Sequence, residues 1–518
     1  MNSRASRRVI VVSAAALVLI AAALVIRSTL SRFVRNRLVA QVERHFDSTV
    51  EIEAVEVSVF PTVRVRGTDL ELRRHDRRDV PPLVSVGTFS ATTSLWYLWH
   101  GGIRRLDVTD LAIHVSSEGD RSQPAPHAAP DSTPPGPDEA PTSPVRGLFV
   151  DEIVSSHARL EIAPEDVDGT PLVFDIPHVR LRGFSPDGPA AYEARLTNPK
   201  PRGEIVSAGH FGPWQPGRPR VTPVSGRYTL TRADMSVFRG ISGTLDSAGS
   251  FTGVLEAIAV SGQTTMPDFE VETGGHPMAL HTTFDARVDG TNGNTYLDRV
   301  SARLAGSPIE ATGEIAGAAD TEGKTIRLDV AADAARLEDL IFLVVSADDA
   351  PMLGELRLRA RLELPPGDTP VPDKLRVDGQ FTIQRGRFAS DAVQNKVDEL
   401  SRRGRGEPKN ASIDNVLSDF SGRFTLRDGR LRLPDLRFGV RGAEVRLAGG
   451  YALRGERLDF AGELRLQAKL SQTMTGFKSI LLKVIDPFFS KHGAGAVLPI
   501  RVGGTVSKPE IGLKLFGG

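Results

Sequence analysis

Residues 318–325 are the first of two short segments whose residue types could do chemistry, because AADTEGKT fits a loose phosphate-loop pattern. A phosphate loop needs backbone amides and a following helix directed at the phosphate. Asp320 and Glu322 would repel that anion, and residues 326–330 alternate between apolar and polar like a strand. We therefore predict a hairpin turn at this position and no nucleotide site.

The second segment, residues 289–295, reads DGTNGNT and is rich in oxygen ligands for a cation. It lacks the ligand spacing and the closing acid of a calcium loop, which favours a turn. The eleven histidines include no HxxxH pair, no GxSxG motif occurs, and the absence of cysteine excludes thiolate zinc sites and cysteine nucleophiles. The sequence predicts no catalytic residue, metal or cofactor, and it favours a protein that is not an enzyme.

A period of two in hydrophobicity, rather than any chemical motif, dominates the chain. Between Gly354 and Leu364, alternate apolar residues face one way while Arg357, Arg359 and Arg361 face the other. The same alternation returns further along the chain. The residues that would line the apolar face of these strands are Leu356, Leu358, Leu362, Leu364, Val445, Leu447, Leu458, Phe460, Leu464 and Leu466.

Such a face needs apolar cover, and the sequence offers few helices to provide it. Helical spacing of apolar residues predicts helices at 29–46, 331–345, 389–402 and 474–488. Either two sheets close on each other as sandwiches, or one sheet curls and lipid chains fill the gap. The residues alone leave both arrangements open.

The composition favours short strands over a helical bundle, because the chain of 518 residues contains 50 Gly and 35 Pro. Lys plus Arg and Asp plus Glu number 64 each, so the formal net charge is zero, which argues against a nucleic-acid partner. Residues 121–146 contain eight Pro and almost no large apolar side chain. We predict a disordered insertion there, which a short Gly/Ser bridge should replace with little loss of stability.

The first strands give three local predictions. Residues 50–72 alternate, with a change from even to odd positions near Ala54 that predicts a bulge. Pro61 and Gly67 predict turns. Residues 95–99, LWYLW, predict a core or helix-packing cluster, with an interfacial belt beside a membrane anchor as the alternative.

Residues 9–26 form an apolar run without charge, long enough for one helix to cross a bilayer. A cleaved signal peptide is the competing interpretation, because arginines precede the run and small residues lie within it. The run continues to Arg27 without a polar exit, which favours an uncleaved anchor. The helix predicted at 29–46 has a basic polar side, and its apolar side packs on the first strands or rests on the membrane surface.

The order of these features resembles the AsmA-like family of bacterial envelope proteins. The chain has an anchor, a basic helix, a strand that ends in VFP, a GTDL turn at 67–70 and a long strand-rich body. Residues 375–511 carry most of the resemblance. They include DGQF at 378–381, a GRF turn at 386–388, AKLSQT at 468–473 and the closing LPIRVGGTVSKPEI at 498–511. The Pro-rich insertion departs from the family pattern.

This resemblance implies a protein of the inner membrane of a diderm bacterium, single-pass, with the bulk of the chain in the periplasm. It also implies kinship with bridge-like lipid-transfer proteins, in which strands stack into a long sheet that curls into an open groove with an apolar inner face. The implied fold is mainly β: one N-terminal transmembrane helix followed by an elongated, curled antiparallel β-sheet with a few amphipathic helices. Tandem β-sandwiches are the alternative.

The implied function is to hold or conduct phospholipid, or another acyl-chain lipid, along the groove and so support outer-membrane lipid homeostasis. A non-enzymatic scaffold or assembly factor, which holds an envelope protein by edge pairing, is the alternative. The predicted segments are a cytoplasmic tip and transmembrane anchor at 1–28, an N-terminal AsmA-like helix and strands at 29–120, the Pro-rich insertion at 121–147, a middle β-rich region at 148–365 and a C-terminal AsmA-like region at 366–518.

Overall fold

A computed structural model describes the chain in twelve stretches and divides it into two compact units. The described residues are 48–58, 62–74, 81–115, 149–162, 172–185, 187–215, 218–317, 323–346, 349–407, 415–468, 496–505 and 509–513. Unit 1 comprises Met1–Thr231, Ala248–Ala259 and Val288–Gly293, and unit 2 comprises Arg232–Ser247, Val260–Arg287 and Asn294–Gly518. The predicted middle region is therefore shared between two units.

Strands and short helices follow one another along the chain. The strands up to the first unit boundary are β1 (Ser48–Ser58), β2 (Val63–Arg74), β3 (Val84–Thr93), β4 (Gly102–Val115), β5 (Phe149–Ile162), β6 (Leu172–Phe184), β7 (Ala190–Pro199), β8 (Arg202–Phe211) and β9 (Pro223–Asp234). The strands after it are β10 (Ile241–Ser242), β11 (Thr244–Val254), β12 (Ala257–Val271), β13 (Met278–Val288), β14 (Thr295–Leu304), β15 (Ser307–Gly317), β16 (Lys324–Arg336), β17 (Met352–Leu364), β18 (Arg376–Phe388), β19 (Ser418–Arg427), β20 (Arg430–Val440), β21 (Ala443–Ala452), β22 (Arg457–Leu466), β23 (Ala496–Gly504) and β24 (Pro509–Leu513). The helices are α1 (Leu95–Trp99), α2 (Leu337–Val344), α3 (Val371–Lys374) and α4 (Asp391–Gly404), with 3-10 turns at Pro219–Val221 and Met235–Val237.

In unit 1 the strands pair mostly with their neighbours in the chain. β1 to β4 pair antiparallel in order, β4 and β5 pair in parallel, and β5 to β9 pair antiparallel in order. One hydrophobic cluster spans β1 to β5. Its buried members are Val57, Val65, Ala91, Ile103 and Val150.

The alternation of buried residues in unit 1 changes phase within the strands. Ile52 of β1 is buried at an even position and Val57 at an odd one. The predicted bulge near Ala54 is wrong, because the register between β1 and β2 is constant along the whole pair. Instead, in both strands the residues that face the core switch between even and odd positions at the same point along the pair. At this point Asp69 of β2 adopts a φ of 51°.

This phase change continues across the neighbouring strands. Asp110 of β4 and His157 of β5 also have positive φ, 54° and 60°. Asp tolerates this left-handed conformation because its short side chain hydrogen-bonds locally. The predicted GTDL turn at 67–70 is therefore wrong: the segment lies inside β2, and its turn-like residues mark the phase change. The side-chain hydrogen bond with Asp69 raises the pKa of Glu53 on the adjacent strand.

Helix α1 connects β3 to β4 and corrects the cluster predicted at 95–99. Trp96 is 70% exposed and Leu98 is 39% exposed, so these two side chains are not in a core. Tyr97 attaches the helix instead. Its hydroxyl donates a hydrogen bond to Asp151 Oδ1 at 2.5 Å, and its ring lies over Gly102, where a Cβ would come within 2.4 Å of it.

In unit 2, β14 to β24 form one antiparallel ladder in chain order. The helix predicted at 389–402 is confirmed, within two residues at each end, by α4. The helix predicted at 331–345 begins only at Leu337, because residues 331–336 continue β16 and pair with β17. The predicted GRF turn is wrong, since β18 extends through Phe388.

The fold is mainly β and mostly antiparallel, with an unclosed sheet and few helices. Within the described stretches no helix is long and apolar enough to span a bilayer. The predicted anchor at 9–26, the helices at 29–46 and 474–488 and the Pro-rich insertion lie outside those stretches.

The parallel pair β4–β5 changes the expectation for the Pro-rich insertion. Gly102 pairs with Phe149 and Val115 with Ile162, so both strands run in the same direction. The chain must return from Val115 at one end of the pair to Phe149 at the other, a distance of about 40 Å at ~3.3 Å per residue. The link between Val115 and Phe149 must therefore span this distance, which a short bridge cannot do.

We predict that six Gly/Ser residues in place of 116–148 break the β4–β5 pair, because they reach about 25 Å when fully extended. Twenty-four Gly/Ser residues reach about 80 Å and should preserve it. Thermal unfolding followed by circular dichroism should show a Tm close to that of the parent for the long linker, and a Tm lower by several degrees for the short one. Equal Tm values for the two linkers would contradict the parallel pairing.

Candidate functional site

The ladder β14–β24 has one apolar face, and cross-strand pairs arrange its residues in rows. One row reads Val330, Ala360, Gly379 and Phe424, and continues after a shift of register with Leu433, Gly449, Phe460 and Val502. Another reads Gly313, Leu328, Leu362, Val377, Leu426, Leu431, Tyr451 and Leu458. Each row crosses the strands, so the apolar surface is continuous from one strand to the next.

The structure brings all the predicted lining residues together on this apolar face. Leu356, Val445 and Leu464 share a row with Ala335, Ile383, Phe420, Phe438 and Leu498. Leu358 and Leu447 share the next row with Ala332, Phe381, Gly422, Leu436, Gly462 and Ile500. Leu362, Leu458 and Phe460 lie in the two rows described above, Leu364 pairs with Ile326, and Leu466 pairs with Ala443. That they contact lipid stays a prediction.

The predicted set omitted the central part of the apolar face, which β18 to β20 supply. Phenylalanines dominate this part. Phe420 and Phe438 have ring centroids 4.7 Å apart, Phe388 and Phe420 6.1 Å, and Phe381 and Phe424 6.2 Å. The alternation of 424–433 indicated these strands. Register shifts between Arg423 and Thr425 and between Leu433 and Leu436 interrupt the period of two there.

Glycine lies opposite phenylalanine at several pairs of this face. Phe424 is paired with Gly379, and a Cβ on that glycine would lie 2.5 Å from Cζ of the ring. Phe460 is paired with Gly449 in the same way, with 2.8 Å to its Cδ1. The rings therefore lie over the bare backbone of the next strand. Each ring thereby covers the backbone of the neighbouring strand and lies close to the sheet instead of projecting from it.

Helix α2 covers one edge of the apolar face, the edge at which β16 ends and β17 begins; we call it the helix edge. Leu340 and Ile341 pack against a cluster that contains Leu356 and Ile383. The buried Asp339 holds the helix in place, because its Oδ2 accepts a hydrogen bond from the Ser307 hydroxyl at 2.7 Å.

Helix α4 covers the same edge further along the ladder. Leu400 packs on the buried cluster of Ala443, Leu466 and Leu498. The Ser401 hydroxyl donates to the Arg441 carbonyl oxygen at 2.7 Å. A buried Gln394 and Asp398 pair joins the helix to the start of β19: Asp398 Oδ1 accepts from the Gln394 amide at 2.8 Å and from the Val416 backbone at 2.9 Å.

Side chains of the apolar face become less buried with distance from the helix edge. In β17, Leu356 is 5% exposed beneath α2, whereas Leu358, Leu362 and Leu364 are only half-buried. On β20 to β23 burial extends further, since Leu433, Val445, Phe460 and Ile500 are also buried. The open part of the face therefore lies on β16 to β19, toward the opposite edge, where β17 ends and β18 begins; we call it the turn edge.

The other face of the ladder is charged and carries ion pairs between neighbouring strands. Arg361 Nε lies 2.9 Å from Asp329, and Arg327 lies 2.8 Å from Glu314. The hydrogen bond with Asp329 raises the pKa of Arg361. These side chains are largely exposed, so solvent screens each pair and it adds little to stability.

A depression of about 530 Å³ lies on the charged face between β14 and β19. Its lining includes Arg299, Arg423, Asp329 and Asp378. Charged side chains would remain hydrated there, so the depression offers little to an acyl chain. The apolar face opposite is the better candidate for a lipid.

The two motifs considered for chemistry are in turns. β15 and β16 pair as far as Gly317 and Lys324, which confirms the hairpin predicted around 318–325. In the turn at 289–295, Asp289 Oδ1 accepts hydrogen bonds from the backbone and hydroxyl of Thr291 at 2.8 and 2.5 Å. Among the described residues no group of three His, Asp or Glu side chains could hold a metal ion.

No family model, curated protein or solved structure matches the chain.

We predict that Gly379→Ala destabilises unit 2, because the added Cβ pushes the Phe424 ring off the neighbouring backbone. The loss should be about 1–3 kcal/mol, as for other overpacked sites. Gly439→Ala is the matched control, since no atom lies within 4 Å of its Cβ position.

Urea unfolding of the two variants measures the difference. Gly379→Ala should cost much less in a Phe424→Leu background, since the smaller side chain leaves room for the new methyl group. An equal loss in both backgrounds would contradict the proposed packing.

Proposed function

We propose that this chain holds or conducts an acyl-chain lipid, most simply a phospholipid, along the apolar face of β14–β24. One observation carries the proposal: rows of aliphatic and aromatic side chains run across the ladder, and away from the helix edge those of β17 are only half-buried. A sheet normally buries such a face against a second layer. An acyl chain can provide the same cover.

The repetition of the rows suggests how a lipid could move. Each buried methylene contributes about 0.8 kcal/mol, so one acyl chain gains on the order of 10 kcal/mol from full burial. A single deep pocket would retain a lipid at that energy. Rows of similar residues offer nearly equal energy at successive positions, so a chain can slide while its headgroup stays in water.

We further propose that residues 9–26 anchor the protein in the inner membrane of a diderm bacterium and that the β-rich body lies in the periplasm. The apolar run and the resemblance of the chain to AsmA-like envelope proteins support this location. On this proposal the sheet curls into a groove that supports the lipid balance of the outer membrane.

Mass spectrometry of molecules that co-purify with the full chain tests the proposed function directly. Phospholipid at a fixed ratio to protein is the expected result. A stoichiometric protein partner with no lipid would instead favour a scaffold that pairs with a strand edge.

We predict that Leu362→Glu keeps the fold and loses lipid. Leu362 is half-buried, so water still reaches a carboxylate at this position. Leu356 is 5% exposed under α2, and Leu356→Glu should cost about 3 kcal/mol or more and unfold the surrounding strands. Circular dichroism and limited proteolysis report the fold, and lipid per protein by mass spectrometry reports binding.

The matched control is Arg359→Glu on the charged face of the same strand. Arg359 is exposed and pairs with Asp333 at 2.7 Å, so its loss should change neither the fold nor the lipid content. Unfolding of Leu362→Glu as readily as Leu356→Glu would favour a packed core over an open groove.

We predict that a cysteine introduced on the body reacts from the periplasm. The chain has no cysteine, so Ser250→Cys, at an exposed position of β11, provides a single thiol. A membrane-impermeant maleimide should label it in cells once the outer membrane is permeabilised. Protection until the inner membrane is broken would exclude the periplasmic location.

A further inference from the structure

We infer that one acyl chain of a bound lipid lies across β15–β18 in a trough of the apolar face, with its methyl end against the Phe424 ring. The inference rests on the proposed function. It adds which part of the face is used, how the chain is oriented and which residue limits its length.

The floor of this trough is a row of small residues. From β15 to β18 the row consists of Ala311, Val330, Ala360 and Gly379, each paired with the next across the strands. These residues are shorter than the leucines on either side of them, so the face is low along this row. All four are half-buried, and the space above them is therefore open to a ligand.

A wall of apolar side chains lies on each side of the floor. The wall toward the helix edge belongs to the cluster under α2 and consists of Ile309, Ala332, Leu358 and Phe381. The wall toward the turn edge consists of Leu328, Leu362 and Val377. On β15 this second wall has only Gly313, which pairs with Leu328. The trough is therefore open toward the turn edge at β15, and the lipid headgroup leaves it there.

The trough runs across the strands rather than along them. Along β17 large and small side chains alternate at Leu358, Ala360 and Leu362, so a chain that followed the strand would have to cross both walls. These wall residues lie four positions apart, about 13 Å between Cα atoms at ~3.3 Å per residue. A chain carbon needs about 4 Å to the atoms on either side, and the wall side chains take up part of the width. One acyl chain therefore fits between the walls.

The trough ends at β18, where the Phe424 ring of β19 lies over Gly379. The Phe381 ring lies over Gly422 in the opposite direction, and a Cβ on that glycine would lie 3.2 Å from Cε1 of the ring. The two ring centroids are 6.2 Å apart, so the rings together fill the row. Beyond them the row continues at Leu433, which is buried. A chain that slides along the floor therefore stops at Phe424.

The size and the chemistry of the trough favour a hydrocarbon chain over a protein. The trough covers the three spacings between β15 and β18, so its area is about 190 Å² at ~4.8 Å per spacing and ~13 Å of width. A stable protein interface buries about 800 Å² on each partner. The floor and the two walls contain no polar side chain, so a polar ligand would lose hydrogen bonds to water without replacement.

The test uses the full chain in vesicles of phosphatidylethanolamine that carry a photoreactive group at the methyl end or at the middle of one acyl chain. Peptide mass spectrometry locates the crosslinks. The methyl-end group should react at Phe381 and Phe424, and the mid-chain group should react at Leu328 and Leu362.

Phe424→Ala tests the end of the trough. It uncovers Gly379 and lengthens the trough by two strand spacings, about 10 Å. Methyl-end crosslinks should move toward Leu426 and Leu433, and the lipids that co-purify should have longer acyl chains. Phe438→Ala is the matched control, because it removes the same side chain from β20 in a row nearer the helix edge. This control should leave the crosslink positions unchanged.

Ala360→Phe tests the floor. The added ring fills the trough, so methyl-end crosslinking at Phe424 should fall roughly tenfold as the chain loses several buried methylenes. Ala331→Phe is the matched control, since Ala331 pairs with Arg359 on the charged face and the same ring there does not enter the trough.

The outcomes separate this inference from the proposed function. Acyl crosslinks on the apolar face that stay at the same positions in Phe424→Ala would overturn the inference and leave lipid binding intact. Absence of acyl crosslinks from the apolar face would overturn both. If Phe424→Ala loses its circular dichroism signal, Ala360→Phe decides, and unchanged crosslinking at Phe424 in that variant contradicts the inference.

Discussion

Hydrogen bonding between neighbouring strands is the interaction on which the β14–β24 ladder depends, because the helices of the described stretches, α2 and α4, cover its apolar face along one edge. In most sheets a second layer supplies much of the stability. Here lateral contacts within the rows contribute instead, such as the stacked Phe420 and Phe438 rings at 4.7 Å. Each strand interacts chiefly with the strands on either side. Stability is therefore close to a sum of local terms, as in repeat proteins.

The period of two in the sequence was sufficient to predict which side chains share a face. Leu356, Leu447 and Phe460 lie on different strands, yet all are on the apolar face, because the pleat fixes the alternation and the antiparallel register aligns it. The residues between these strands were harder to predict, since register shifts in β19 and β20 break the period. Such shifts depend on pairing between strands, which no local pattern records.

The boundary of α2 and the phase change in unit 1 escaped prediction for related reasons. Ala331 to Arg336 has no strong local preference, and pairing with β17 extends it as strand. Gly67 and Asp69 are typical turn residues, but neighbouring strands hold them in β2. Sequence reasoning could find the apolar face and not its edges, because access depends on where α2 and α4 pack.

The parallel step from β4 to β5 has a consequence for how unit 1 folds. Every other strand pair of this unit joins neighbours through a local connection, so these pairs close short loops and form early. Residues 102 and 149 are far apart in sequence, and their pairing must close a much longer loop at a greater entropic cost. We therefore expect the four strands before this step and the five after it to assemble as separate meanders, with their joining as the slow event of folding. Until they join, β4 and β5 would each expose an unpaired edge to aggregation.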